Sequence, residues 1–212
     1  FISGIKDAWQ FLPSQPLGLR GKGFQGESYF ATPNPAVGSV FTYYLKEDIK
    51  TLKEKRKERE KVLIDKKQSV FYPSIDSLRL EEAQPAPYLL FTITDESGNT
   101  VRRLKAPAKK GLQRITWDFR YDAPDPVSFN EPDPMNFFSG PDLGAMAFAG
   151  NYKVALSKFE DGTFTELVPA QPFKVVSLNA VSLSAADKKA LENFTQKAAS
   201  LVRALGGAQA VY

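Results

Sequence analysis

Between Asp122 and Phe148 the chain gathers seven side chains that could coordinate an ion or grip a sugar hydroxyl: Asp122, Asp125, Asn130, Glu131, Asp133, Asn136 and Asp142. Phe129, Phe137 and Phe138 lie among them, together with five prolines. Oxygen ligands in a loop can hold Ca²⁺, and exposed aromatic rings can stack on sugar rings. The spacing fits no EF-hand pattern. Phe129, Phe137, Phe138, Asp125 and Asp133 are the candidate ligand-binding residues of this stretch. The competing reading is a proline-stiffened loop whose phenylalanines cover the edge of a sheet.

Catalytic chemistry is narrowed by what the chain lacks. It contains no His and no Cys. That removes the commonest general base, every Ser-His or Cys-His nucleophile pair, disulfides and thiolate metal sites. Carboxylate, Lys and Tyr chemistry remain. Asp118, directly after Trp117, could be imagined as an acid, yet no partnered carboxylate is identifiable. The structural reading has Trp117 filling a core while Asp118 satisfies backbone donors near a strand end. Fragments such as Gly21-Lys22-Gly23 lack the Lys-Ser/Thr and strand–helix context of a phosphate loop. No catalytic residue, metal centre or cofactor follows from these residues.

The formal charge of +4 is local rather than global. Lys46 to Lys67 holds ten basic and six acidic residues, and the rest of the chain is balanced. A body without a basic field is no nucleic-acid binder. The basic stretch could meet phosphate or anionic lipid, but Glu54, Glu58 and Glu60 dilute it and it lacks the aromatic face of a membrane-lying helix. A solvated helix is the competing reading. No apolar run approaches the ~20 residues that span a bilayer.

The elements that must position these groups alternate between sheet and helix signals. Residues 1–29 are an extended lead-in rich in Gly, Pro and Ser, with Trp9 and Phe11 in a short apolar cluster that must dock on something. Gly38–Leu45, Tyr88–Thr94, Thr100–Leu104, Leu112–Phe119, Tyr152–Lys158, Phe164–Val168 and Pro172–Leu178 read as strands from their alternation and β-branched or aromatic content. Asp95–Asn99 and Glu160–Gly162 read as hairpin turns. Residues 46–84 form a charged helical insertion, with Lys50–Glu54 and Arg56–Glu60 spaced four apart. After Asn179, Ser184–Asp187 resembles a capping box. Leu191, Phe194, Ala198, Leu201 and Leu205 then recur at helical spacing until Gly206-Gly207 supplies a stop.

The central block resembles a known family. Asn34-Pro35 with Gly38–Leu45, then Gly98–Leu104, Gly111–Tyr121 and Ala149–Leu156 are similar to the Ig-like domain that follows a β-propeller of sortilin or Asp-box (BNR) repeat type in bacterial exported proteins described as glycosyl-hydrolase-like. A more distant similarity is to the Ig-like domain of the flagellar hook-capping protein. The resemblance covers about residues 30–178. It implies an all-β, Ig-like or fibronectin-III-like sandwich with a helical insertion (46–84) and a C-terminal helical segment (179–212). It also implies an extracytoplasmic location and a chain trimmed from something longer. Two departures stand out: the chain holds no Asp-box repeat, and the 46–84 insertion is longer than a plain turn. The resemblance transfers no catalytic residue.

The expected function is a non-catalytic accessory module that braces or extends a neighbouring β-propeller or another protein surface. Trp9, Phe11, Leu191, Phe194 and Leu201 would provide the interdomain packing. The alternative is a carbohydrate-binding module that takes polysaccharide on the 122–148 loop.

Overall fold

The computed structural model describes residues 1–11, 36–126, 143–178 and 183–209. In chain order the elements are β1 (Ala8–Gln10), β2 (Ser39–Leu45), α1 (Leu52–Asp65), α2 (Ile75–Ala83), β3 (Tyr88–Thr94), β4 (Thr100–Pro107), β5 (Gly111–Trp117), β6 (Gly150–Glu160), β7 (Thr163–Ser177) and α3 (Ala185–Gln209). Five strands form one sheet in the order β1-β7-β6-β3-β4, and β2 pairs with β5 in a second.

The expected all-β sandwich is overturned. Of the described residues 29% are helical and 37% strand, in a mixed five-stranded sheet, a small second sheet, two further helices and a C-terminal helix. Two local features hid this. Phe164–Val168 and Pro172–Leu178 read as separate strands because Pro169 and Pro172 interrupt the pattern, yet Thr163–Ser177 is one continuous strand. Proline is tolerated where its missing N–H faces no partner. Strand β1 meets β7 only at Val175–Ser177, so both prolines precede that ladder. The second feature is β1 itself, three residues inside a turn-rich lead-in, too short for alternation to register. It runs parallel to β7, with Ala8 opposite Val175.

The chain divides into two compact units. The first comprises Phe1–Ile5, Phe41–Ile115 and Lys153–Pro172. Its central strand is β3, antiparallel to both β4 and β6. Leu89, Phe91 and Ile93 alternate inward and are fully buried, as period-2 geometry requires of a strand with one covered face. Phe41 stacks on Phe91 at 6.2 Å between ring centroids, and Tyr43 tilts against the same ring at 5.1 Å. The Tyr43 hydroxyl donates to Gln113 Oε1 at 2.9 Å, and burial pushes its pKa up. Asp161 and Gly162 join β6 to β7 with φ of 51° and 76°, the two positive values that a tight hairpin turn matched to strand twist demands.

Helices α1 and α2 project from this unit without burying a single residue. Their ends are nonetheless well determined. Thr51 and Glu54 form a reciprocal capping box at the start of α1, each side chain accepting the other's backbone N–H. At its end, Lys67 N–H donates to Ile64 O at 2.8 Å and Gln68 N–H to Leu63 O at 2.9 Å. This paired closure puts Lys67 in the left-handed region at φ 55°. Ser74 then caps α2 by accepting from Ser77 N–H at 3.3 Å.

The second unit comprises described residues within Lys6–Val40, Thr116–Tyr152 and Phe173–Tyr212. Its core is aromatic. Trp117 is fully buried and presents edges to Phe119 at 5.5 Å, Tyr152 at 5.1 Å and Phe173 at 6.1 Å. Such edge-to-face pairs add to the area they bury. The indole N–H is satisfied by Arg120 O at 2.9 Å. Gly144 is dictated by close approach, because a Cβ there would sit 2.1 Å from Tyr121 O.

Candidate functional site

The segment Tyr121–Pro126 seats helix α3, and it does so at three points along the helix. Tyr121 Oη donates to Glu192 Oε1 at 2.7 Å. About three turns further on, Arg203 Nη2 donates to Ala123 O at 2.8 Å. Near the end, a Cβ on Gly206 would meet Pro126 Cδ at 3.0 Å, so the helix backbone lies close against the proline ring. Gly206 and Gly207 therefore do not stop the helix, which continues to Gln209. The expected stop is corrected: glycine here allows close approach rather than termination.

The consequence is an inverted helix. The residues facing the seat are polar or small, with Glu192, Thr195, Gln196, Ala199 and Gly206 half-buried. Of the apolar row expected to pack inward, Ala198 is half-buried and the large side chains are on the outside: Leu191 is 43% exposed, Phe194 69%, Leu201 60% and Leu205 57%. Val202 adds to this row at 47%. An amphipathic helix normally turns such a stripe to a core.

A groove of about 380 Å³ opens beside the first half of α3. Phe11, Tyr121, Met146, Phe148 and Leu191 supply its apolar walls, and Gln10, Glu192 and Gln196 its polar ones. Its floor is held by backbone pairing. Ala147 N–H donates to Phe119 O at 2.7 Å, and Tyr121 N–H to Ala145 O at 2.9 Å. The Gln10 side chain ties β1 to the same loop through Nε2 and Ala147 O at 2.7 Å.

The residues expected to bind or dock fall out as follows. Phe11 and Leu191 both line the groove, and Leu191 shares the exposed row of α3 with Phe194 and Leu201. Trp9 stands on β1, 63% exposed. Asp125 is exposed within the segment that seats α3. Phe129, Asp133, Phe137 and Phe138 lie outside the described residues. Asp118 accepts from Arg120 N–H at 3.2 Å and so holds the turn after β5. Tyr121, Met146 and Phe148 were not anticipated. The Trp-Asp-Phe-Arg-Tyr run signalled only a strand end, and pairing between residues 119–121 and 145–147 is invisible to local patterning.

A second, polar depression in the first unit is lined by Glu47, Asp48, Lys50, Lys55, Lys110 and Glu160. Its charges are spent on structure. Asp48 Oδ1 accepts from Lys110 N–H at 2.6 Å, and Glu160 pairs with Lys158 at 2.8 Å and Lys55 at 3.3 Å. The hydrogen bond from Lys158, seconded by Lys55, lowers the Glu160 pKa. A carboxyl held ionised in this way is no proton donor near neutral pH. Among the described residues no cluster of three or more acidic side chains could hold a metal ion.

Comparison with family models, curated proteins and solved structures finds no match for this chain.

Proposed function

We propose that this chain is a non-catalytic accessory module that braces a neighbouring domain. By the resemblance of its central block, that neighbour is a β-propeller of Asp-box type in an exported bacterial protein. The observation that carries the reading is α3, seated by polar and small residues with Leu191, Phe194, Leu201, Val202 and Leu205 turned to solvent. An apolar row of this length on a seated helix is what a protein interface core requires. Trp9 and Phe11 extend the supply of aromatic anchors that dominate such interfaces. Amide exchange tests it: α3 should gain protection when the chain is joined to its neighbouring domain. Unchanged exchange along α3 would contradict the bracing role.

The groove favours a second reading, a carbohydrate-binding module. Tyr121 and Phe148 offer rings for stacking, with Gln10, Glu192 and Gln196 as hydrogen-bonding groups beside them. Retardation of the chain in gels containing one polysaccharide, lost on Phe148→Ala, would support this reading. Uniform migration across a panel would remove it.

A further inference from the structure

The loop between α1 and α2 carries the most exposed large apolar side chains of the first unit. Phe71 is 87% exposed and Tyr72 86%, with Val70, Ile75, Val62 and Ile64 exposed around them. This exposure is built in. The paired backbone closure at Leu63–Gln68 fixes the chain entering the loop, and the Ser74 cap fixes the chain leaving it.

The unpaired charge near this tip is mainly basic. In the distal stretch 57–76, Glu58 is paired with Lys50 at 2.6 Å, Glu60 with Arg56 at 2.6 Å and Asp76 with Arg79 at 3.7 Å. Among the described residues Lys57, Arg59, Lys61, Lys66 and Lys67 form no ion pair, and all five are exposed. Asp65 is the one acidic residue set against them without an ion pair. An aromatic tip with exposed, unpaired Lys61, Lys66 and Lys67 on the chain leading into it is complementary to a surface that is apolar a few ångströms down and anionic at its face.

We propose that the α1–α2 tip docks on an anionic lipid bilayer, with Phe71 and Tyr72 seated at the interface and the lysines against headgroup phosphates. Aromatic rings favour the headgroup level of a bilayer, and each nearby cation adds about fivefold to partitioning on an anionic surface. The attachment is peripheral, since among the described residues no helix is long and apolar enough to cross a membrane. It is independent of the interface proposed for α3, which belongs to the other unit.

Vesicle co-sedimentation tests it, using phosphatidylcholine vesicles with and without phosphatidylglycerol. The chain should bind the mixed vesicles and bind the neutral ones at least tenfold more weakly. Phe71→Ala/Tyr72→Ala should abolish binding, and Lys61→Gln/Lys66→Gln/Lys67→Gln should reduce it about a hundredfold, since three such cations multiply. These positions are exposed, and an unchanged circular dichroism spectrum verifies that each variant is folded. A Phe71→Trp variant should show blue-shifted emission and quenching by brominated lipid when vesicles are added. Failure of the native chain to bind mixed vesicles overturns the proposal. So does binding that survives Phe71→Ala/Tyr72→Ala, or binding without any lipid quenching of Phe71→Trp.

Discussion

Arg56 grips Glu81 with both arms of its guanidinium, Nε donating to Oε1 at 2.7 Å and Nη2 to Oε2 at 2.9 Å. The Glu81 side chain is only 8% exposed in this grip, although neither helix buries an apolar core. The fork geometry of arginine suits a carboxylate, and here it replaces hydrophobic packing as the link between α1 and α2. Around it, Gln84 accepts from Leu52 N–H at 2.7 Å and donates to Asp161. Lys55 reaches Glu160 at 3.3 Å. The helical pair is thus held at its base by polar contacts and free at its tip.

Glu81→Gln keeps the shape and removes the charge, so α1 and α2 should loosen while the sheet is unaffected. Amide exchange should accelerate in both helices and stay unchanged in β3, whose Leu89, Phe91 and Ile93 are fully buried. Equal acceleration in β3 would mean that the helical pair is coupled to the core.

The same contacts fix a pH dependence. The hydrogen bond from Arg56 lowers the Glu81 pKa, and those from Lys158 and Lys55 lower that of Glu160. A carboxyl whose folded pKa lies below its unfolded value, about 4.3, stabilises the fold fully above that value. The contribution is lost as pH falls through the folded pKa. Protection of α1 should therefore hold from neutral pH down to about 4 and collapse below it, ahead of β3.

Trp117 should be the single most costly truncation in the second unit, given its full burial and three aromatic neighbours. Trp117→Ala should lower stability by about 3–5 kcal/mol in urea titration. A loss below about 1 kcal/mol would show that this aromatic cluster collapses around the cavity.

Ser39 carries a hydroxyl that is fully buried without a hydrogen-bond partner among the described residues. An unsatisfied buried polar atom costs about 1–3 kcal/mol, so Ser39→Ala should be neutral or stabilising by about 1 kcal/mol. Destabilisation on urea titration would reveal a partner for the hydroxyl in solution.

Much of this architecture was readable one element at a time. The alternation of Leu89, Phe91 and Ile93 announced β3, and Asp161-Gly162 announced the hairpin between β6 and β7. Ser184 and Asp187 marked the start of α3, where Asp187 N–H donates to the Ser184 hydroxyl at 3.2 Å. What failed was assembly. Arg56–Glu60 forms at its predicted spacing, but Lys50 reaches past Glu54 to Glu58. The row Leu191–Leu205 was legible as a stripe, yet its direction was not, because periodicity does not say which side a helix turns to its seat. Pairing between residues 119–121 and 145–147 depends on contacts across a long excursion, which local patterning does not encode.

The exposed row of α3 is the centre of the account, and a double variant tests it most directly. Phe194→Gln/Leu201→Gln should change the unfolding free energy of the chain alone by no more than about 0.5 kcal/mol, because both side chains already face solvent. Joined to the neighbouring domain that the bracing role requires, the same variant should lower stability and strip α3 of its added protection. An equal loss in the chain alone would show that the row packs within this chain, and the bracing role would fall.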